Sequence, residues 1–125
     1  MHDQLLQGCR ILLVEDEYLL ADDLSRTLEH AGATILGPTP SVKEALSLLA
    51  SEPAVDGAVL DVNLYGEMVF PVADALKARD IPFLFTTGYD QGAVPSRFAE
   101  VTRCEKPVSM SAVTRAMQRE IRAQA

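Results

Sequence analysis

Short apolar runs recur along this chain at intervals that leave room for one helix each. "RILLV" (10–14), "ATILG" (33–37), "GAVLDV" (57–62), "PFLFTT" (82–87) and "VTRCE" (101–105) are five such runs. Each is too short for an ordinary helix and rich enough in branched or aromatic residues for a strand, "VTRCE" least so. "GAVLDV" is apolar nearly throughout, as a strand covered on both faces must be.

Helical patterns fill the intervals. From Tyr18 to Ala31, Leu19, Leu20, Leu24 and Leu28 recur at helical spacing, and Gly32 is a stop signal. Pro38 and Pro40 mark a loop. Ser41 then caps a helix with Glu44 three residues on, and Val42, Ala45, Leu46 and Leu49 share one face. "NLYGEM" (63–68) reads as a turn, and Pro71 as the first residue of a helix running to about Arg79. Gly88, Gly92 and Pro95 allow at most a short helix near Ser96 to Glu100. Ser109 to Arg122 is a last amphipathic helix with Val113, Met117 and Ile121 inward. Five strands alternating with about five helices specify an α/β fold with a mostly parallel sheet and right-handed crossovers.

At 125 residues the chain fits one domain, and 48% hydrophobic residues suffice for a core. No repeat, low-complexity tract or second domain shows. A net charge of -7 argues against nucleic acid or an anionic membrane surface and leaves room for a cation or a basic partner patch. No apolar stretch reaches the roughly 20 residues that span a bilayer. "MHDQLLQGCR" lacks the basic start and apolar core of a signal peptide, so the expected location is the cytoplasm. Cys9 and Cys104 match no metal-ligand spacing and read as buried free thiols. His2 lies in the terminus and His30 ends a helix, where a cation suits the dipole.

In parallel sheets ligands gather at the carboxyl ends of the strands. Glu15 and Asp16 follow the first strand, Asp61 ends the third, Thr86 and Thr87 end the fourth, and Lys106 follows the fifth. Three carboxylates brought together repel one another unless a cation joins them. Hard oxygen ligands of this kind suit Mg²⁺, which takes one or two carboxylates plus waters and a phosphate. Any one acid at a strand end is ordinary solvated surface; the whole set at successive strand ends is not. A carboxylate is also a competent nucleophile for phosphoryl transfer.

Val14-Glu15-Asp16-Glu17, Leu60-Asp61-Val62-Asn63-Leu64, Thr86-Thr87-Gly88 and Lys106-Pro107, in that order on these strands, resemble the response-regulator receiver domains of two-component signalling. The resemblance covers about residues 8–124. It implies a flavodoxin-like (βα)5 fold with strand order 2-1-3-4-5 and, here, an atypical or short fourth helix. It implies that Asp61 takes a phosphoryl group from a phosphohistidine. Glu15 and Asp16 hold Mg²⁺ with Asp61, and Asn63 adds its backbone carbonyl. Thr87 and Lys106 bind phosphoryl oxygens, Gly88 leaves them room, and the Lys106-Pro107 bond is cis. The implied partners are a histidine kinase, of an atypical class, or a histidine phosphotransfer protein, with an unnamed downstream protein target. No nucleic acid or membrane is implied, and the expected state is a monomer or weak dimer.

Departures from the family pattern carry expectations too. Arg103 stands where many receivers have Tyr or Phe, so an aromatic switch coupled to Thr87 is not expected; ordering of residues 88–100 on phosphorylation is. "FTTGYD" resembles the Phe-Ala-Thr-Gly-Tyr motif of a receiver subgroup, with Thr86 for alanine, and Tyr89 is a candidate shield of the phosphorylated Asp61. Residues 1–125 read as one receiver with no output domain, a signalling phosphoacceptor and not a turnover enzyme. Two rival readings remain. One is a receiver-fold module that binds partners without phosphorylation. The other is a haloacid-dehalogenase-like phosphatase, disfavoured because Asn63 replaces the acid that class places two residues after its nucleophile.

Overall fold

The structure is a computed structural model and describes residues 4–88 and 94–124. Its elements run β1 (Arg10–Val14), α1 (Tyr18–His30), β2 (Thr34–Thr39), α2 (Val42–Ser51), β3 (Gly57–Asp61), β4 (Asn63–Leu64), β5 (Glu67–Met68), α3 (Phe70–Ala78), β6 (Phe83–Thr87), β7 (Arg103–Glu105) and α4 (Met110–Ala123). Five of the strands form one parallel sheet in the order β2-β1-β3-β6-β7, which is the expected 2-1-3-4-5. Strand order reverses between β1 and β3, and α/β sheets open their binding crevice at such a point.

The sheet divides the core in two. Leu12, Leu60, Phe83 and Phe85 face α2 and α3, while Ile11, Leu13, Val59 and Leu84 face α1 and α4. That alternation is the period of two of a strand, and β3 and β6 are buried along their whole length. Caps fall where the residue types predict. Ser41 Oγ accepts the Glu44 N–H at 3.2 Å and donates to the Glu44 carboxylate at 3.1 Å. Ser109 Oγ accepts from Ala112 N–H. Pro71 stands in the first turn of α3. Gly32 ends α1 at φ +102°, and a Cβ there would meet the Gln7 backbone at 2.8 Å.

Three expectations are corrected. β2 runs on through Pro38 to Thr39, where a loop was expected; it is an outer strand of the sheet, where proline's missing N–H is tolerated. "NLYGEM" is a two-strand hairpin, β4 against β5, and not a bare turn. The described residues hold four α-helices. In the place of another, Ser96–Phe98 forms a single 3-10 turn, consistent with the short helix expected there. Phe98 of that turn is fully buried against Phe70, Phe83 and Phe85. The turn is held to α3 from outside as well: Arg97 donates twice to Asp74, at 2.9 and 3.0 Å, and Lys77 donates to the Arg97 carbonyl. Cys9 and Cys104 are free, as expected, but only half-buried; burial raises both thiol pKa values. Among the described residues, no helix is long and apolar enough to cross a membrane.

Candidate functional site

The carboxyl edge of the sheet gathers the polar residues. Asp61 pairs in register with Thr86, and Val14 with Leu60, so Glu15 follows β1 directly beside Asp61. Glu15, Asp16 and Asp61 each offer a carboxylate oxygen within 4.8 Å of the others. Glu15 and Asp61 are buried and Asp16 is half-buried. Two of these acids are fixed by main-chain donors two residues on. Glu17 N–H reaches Glu15 Oε2 and Asn63 N–H reaches Asp61 Oδ1, both at 3.2 Å. The Asp61 turn is of the kind that short polar side chains favour at the end of an element.

Lys106 arrives from β7. Its N–H donates to the Thr87 carbonyl at 2.7 Å, which lashes the end of β7 to the end of β6. Its Nζ donates to Asp61 Oδ2 at 3.0 Å and stands 3.7 Å from Glu15 Oε2. The Lys106-Pro107 bond is cis, as the resemblance implied.

One ammonium does not balance three carboxylates, and the acids respond. Burial, then the neighbouring Asp61, pushes Glu15 up to about 8 against the pull of Lys106. Burial, then the charge of Asp61, also raises Asp16. Burial works to lower Lys106, but its hydrogen bond to Asp61 and the charges of Glu15, Asp61 and Glu17 outweigh that and raise it. Glu15 Oε1 is buried with no protein partner. A buried orphan acceptor beside two further carboxylate oxygens is a donor set that fits a small, hard divalent cation.

Above the acids lies a cavity of about 250 Å³ lined by Asp16, Glu17, Asp61, Asn63, Tyr65, Gly66 and Lys106. Glu17, Tyr65 and Gly66 were not expected in the site. The Tyr-Gly pair, a turn dipeptide four residues after the nucleophile candidate, was the available signal. Thr87 is buried at the end of β6, and among the described residues no hydrogen bond joins its hydroxyl to Asp61. Thr86 is fully buried with an unpartnered hydroxyl. Gly88 follows β6, half-buried. Asn63 sits beside the acids, its Oδ1 accepting from Gly66 N–H. Arg103 is exposed on β7 in register with Phe85, and so on the strand face that Thr87 also takes. Tyr89 and His2 lie outside the described residues.

No protein-family model matches the chain. The phyllosphere-induced regulator PhyR of Methylorubrum extorquens is 32% identical to it over 110 residues, covering 82% of this chain and 41% of PhyR. The chain thus spans less than half the length of that relative. SdrG from Sphingomonas melonis Fr1 is 44% identical in solution structure, covering 86% of this chain and 92% of SdrG with a TM-score of 0.76. A solution structure of the BeF3-activated conformation of SdrG matches at 42% identity, covering 88% of this chain and 95% of that one with a TM-score of 0.71. A response regulator receiver protein from Sinorhizobium medicae WSM419 shares the fold at 24% identity over 96% of this chain and 99% of that one, with a TM-score of 0.80. The acid cluster at a parallel sheet edge, the lysine that reaches it and these likenesses agree: the chain belongs to the response-regulator receiver domains.

Proposed function

We propose that the protein is a phosphorylation switch whose phosphoacceptor is Asp61. The observation that carries this reading is the placement of Asp61. It is a buried carboxylate with an ammonium 3.0 Å from one oxygen, two further acids alongside and an open cavity above. Phosphoryl transfer needs alignment and charge neutralisation more than covalent help from the protein.

Glu15, Asp16 and Asp61, with the Asn63 carbonyl, would hold Mg²⁺. When bound, the cation neutralises charge that develops on phosphoryl oxygens. This chain's own residues do the rest. Asp61 attacks phosphorus, and its N–H bond from Asn63 holds the carboxylate in line. Lys106 pairs with one phosphoryl oxygen from its post on the Thr87 carbonyl. The Thr87 hydroxyl turns to another, and Gly88 leaves space for it. The donor would be a phosphohistidine of a histidine kinase or of a histidine phosphotransfer protein. The BeF3-activated conformation of SdrG supports the reading, since that anion has the shape and charge of a phosphoryl group. The protein signals by contacts with a downstream protein or by passing the group on, in the cytoplasm, and turns over no external substrate.

The test is incubation with Mg²⁺ and acetyl phosphate beside Asp61→Asn. A one-phosphate mass shift in the wild type alone is expected. A folded wild type that is labelled neither by this donor nor by phosphoimidazole and binds no beryllofluoride overturns the reading.

A further inference from the structure

The β4–β5 hairpin turns through two residues, Tyr65 and Gly66, because Leu64 pairs with Glu67 and Asn63 with Met68. Both turn residues are left-handed, at φ +52° and +88°. Two positive φ values define the type I′ turn, whose twist suits a two-residue hairpin and whose first position favours Asn, Asp or Gly. A tyrosine there goes against local preference, since its Cβ crowds the backbone in that conformation. Packing does not compensate, because Tyr65 is 89% exposed. Local rules broken without a packing return concentrate at functional sites. The position of Tyr65 supplies the reason: the residue lines the cavity that also holds Asp61 and Lys106.

We infer that Tyr65 is a specificity-determining residue of phosphotransfer, a platform on which an aromatic nitrogen leaving group stacks. The inference rests on the reading of Asp61 as phosphoacceptor. In-line attack places the leaving group on the side of phosphorus away from Asp61. Asp61 is buried, so that side is the mouth of the cavity, where Tyr65 stands exposed. As an Asp61 oxygen bonds to phosphorus, the phosphorus–nitrogen bond breaks. The imidazole nitrogen leaves with the electron pair and takes one proton from water. A flat imidazole can lie against the phenol ring, and Glu17 at the same mouth, an acid outside the metal-holding set, favours any positive charge on it. Acetate, the leaving group of acetyl phosphate, has no aromatic face to offer.

The experiment compares phosphoimidazole with acetyl phosphate as donors, both with Mg²⁺, in wild type, Tyr65→Asn and Tyr65→Phe. Asparagine suits the turn better than tyrosine, so that variant removes the ring and keeps the hairpin. The ratio of the phosphoimidazole to the acetyl phosphate rate constant is expected to fall about five- to tenfold in Tyr65→Asn. It is expected to stay within about twofold of wild type in Tyr65→Phe, which keeps the stacking face. An unchanged ratio in Tyr65→Asn, or an equal fall with both donors, overturns the inference and leaves Tyr65 as a turn residue. A folded wild type labelled by neither donor overturns this inference, and one that binds no beryllofluoride either overturns the phosphoacceptor reading with it.

Discussion

Lys106 Nζ lies 3.0 Å from Asp61 Oδ2 and 3.7 Å from Glu15 Oε2, so one cation serves two buried carboxylates at once. Its loss removes a charge partner of the resting acids and, on the proposed reading, a donor for phosphoryl oxygens. Lys106→Met is expected to slow labelling of Asp61 by acetyl phosphate on the order of 10²-fold, the usual effect of deleting one charge-stabilising donor. Lys106→Arg rescues only in part, because a planar fork does not replace a point charge. Time courses of the one-phosphate mass shift measure both.

Glu15 sets a pH dependence of the metal-free protein. Its folded pKa is raised, by burial first, from an ordinary 4.5 to about 8. Between those values the folded state holds more protons than the unfolded state, so stability falls as pH rises through the window. The raised Asp16 acts in the same direction. With EDTA present, the Tm is expected to be lower at pH 8 than at pH 5.5 by a few degrees. Glu15→Gln flattens that difference. Mg²⁺ opposes it, raising Tm more at pH 8, where protons no longer compete for the carboxylates. Thermal melts in a pH series check all three.

Phe98 anchors the 3-10 turn from inside. It is fully buried and lies 5.7, 6.1 and 5.8 Å from the ring centroids of Phe70, Phe83 and Phe85. Phe98→Ala is expected to destabilise the domain by about 3 kcal/mol, the low end for a buried aromatic at a site that can partly collapse. Urea unfolding at an unchanged m-value would show it.

Arg97 and Asp74 clamp the same turn from outside. The pair is solvated, so its effect on global stability is small. Its local effect is the informative one, because it joins the 3-10 turn to α3. Asp74→Ala is expected to speed amide exchange over residues 96–101 several-fold and to leave β1 and β3 unchanged. Beryllofluoride is expected to slow exchange within residues 88–100 in the wild type, the segment whose ordering on phosphorylation the sequence suggests.

The order of elements and the identity of the acids were determined by the sequence alone. Strand and helix periods are local, so the runs at 10–14, 57–62 and 82–87, the cap at Ser41 and the helix-opening proline at Pro71 could be read directly. The rule that parallel sheets bind at their carboxyl ends then placed Glu15, Asp16, Asp61, Thr87 and Lys106 on one edge. The tertiary structure decided what depends on contacts distant in sequence. Which oxygen Lys106 reaches follows from the lashing of its N–H to the Thr87 carbonyl. The seating of residues 96–98 follows from aromatic rings on α3 and β6. The hairpin at 63–68 escaped the sequence because its two strands are two residues each, too short for a periodic pattern. Its turn puts a tyrosine where local preference calls for asparagine. Propensity cannot foresee that choice; the cavity beside it forms only when the residues at the carboxyl ends of β1, β3 and β7 come to one edge of the sheet.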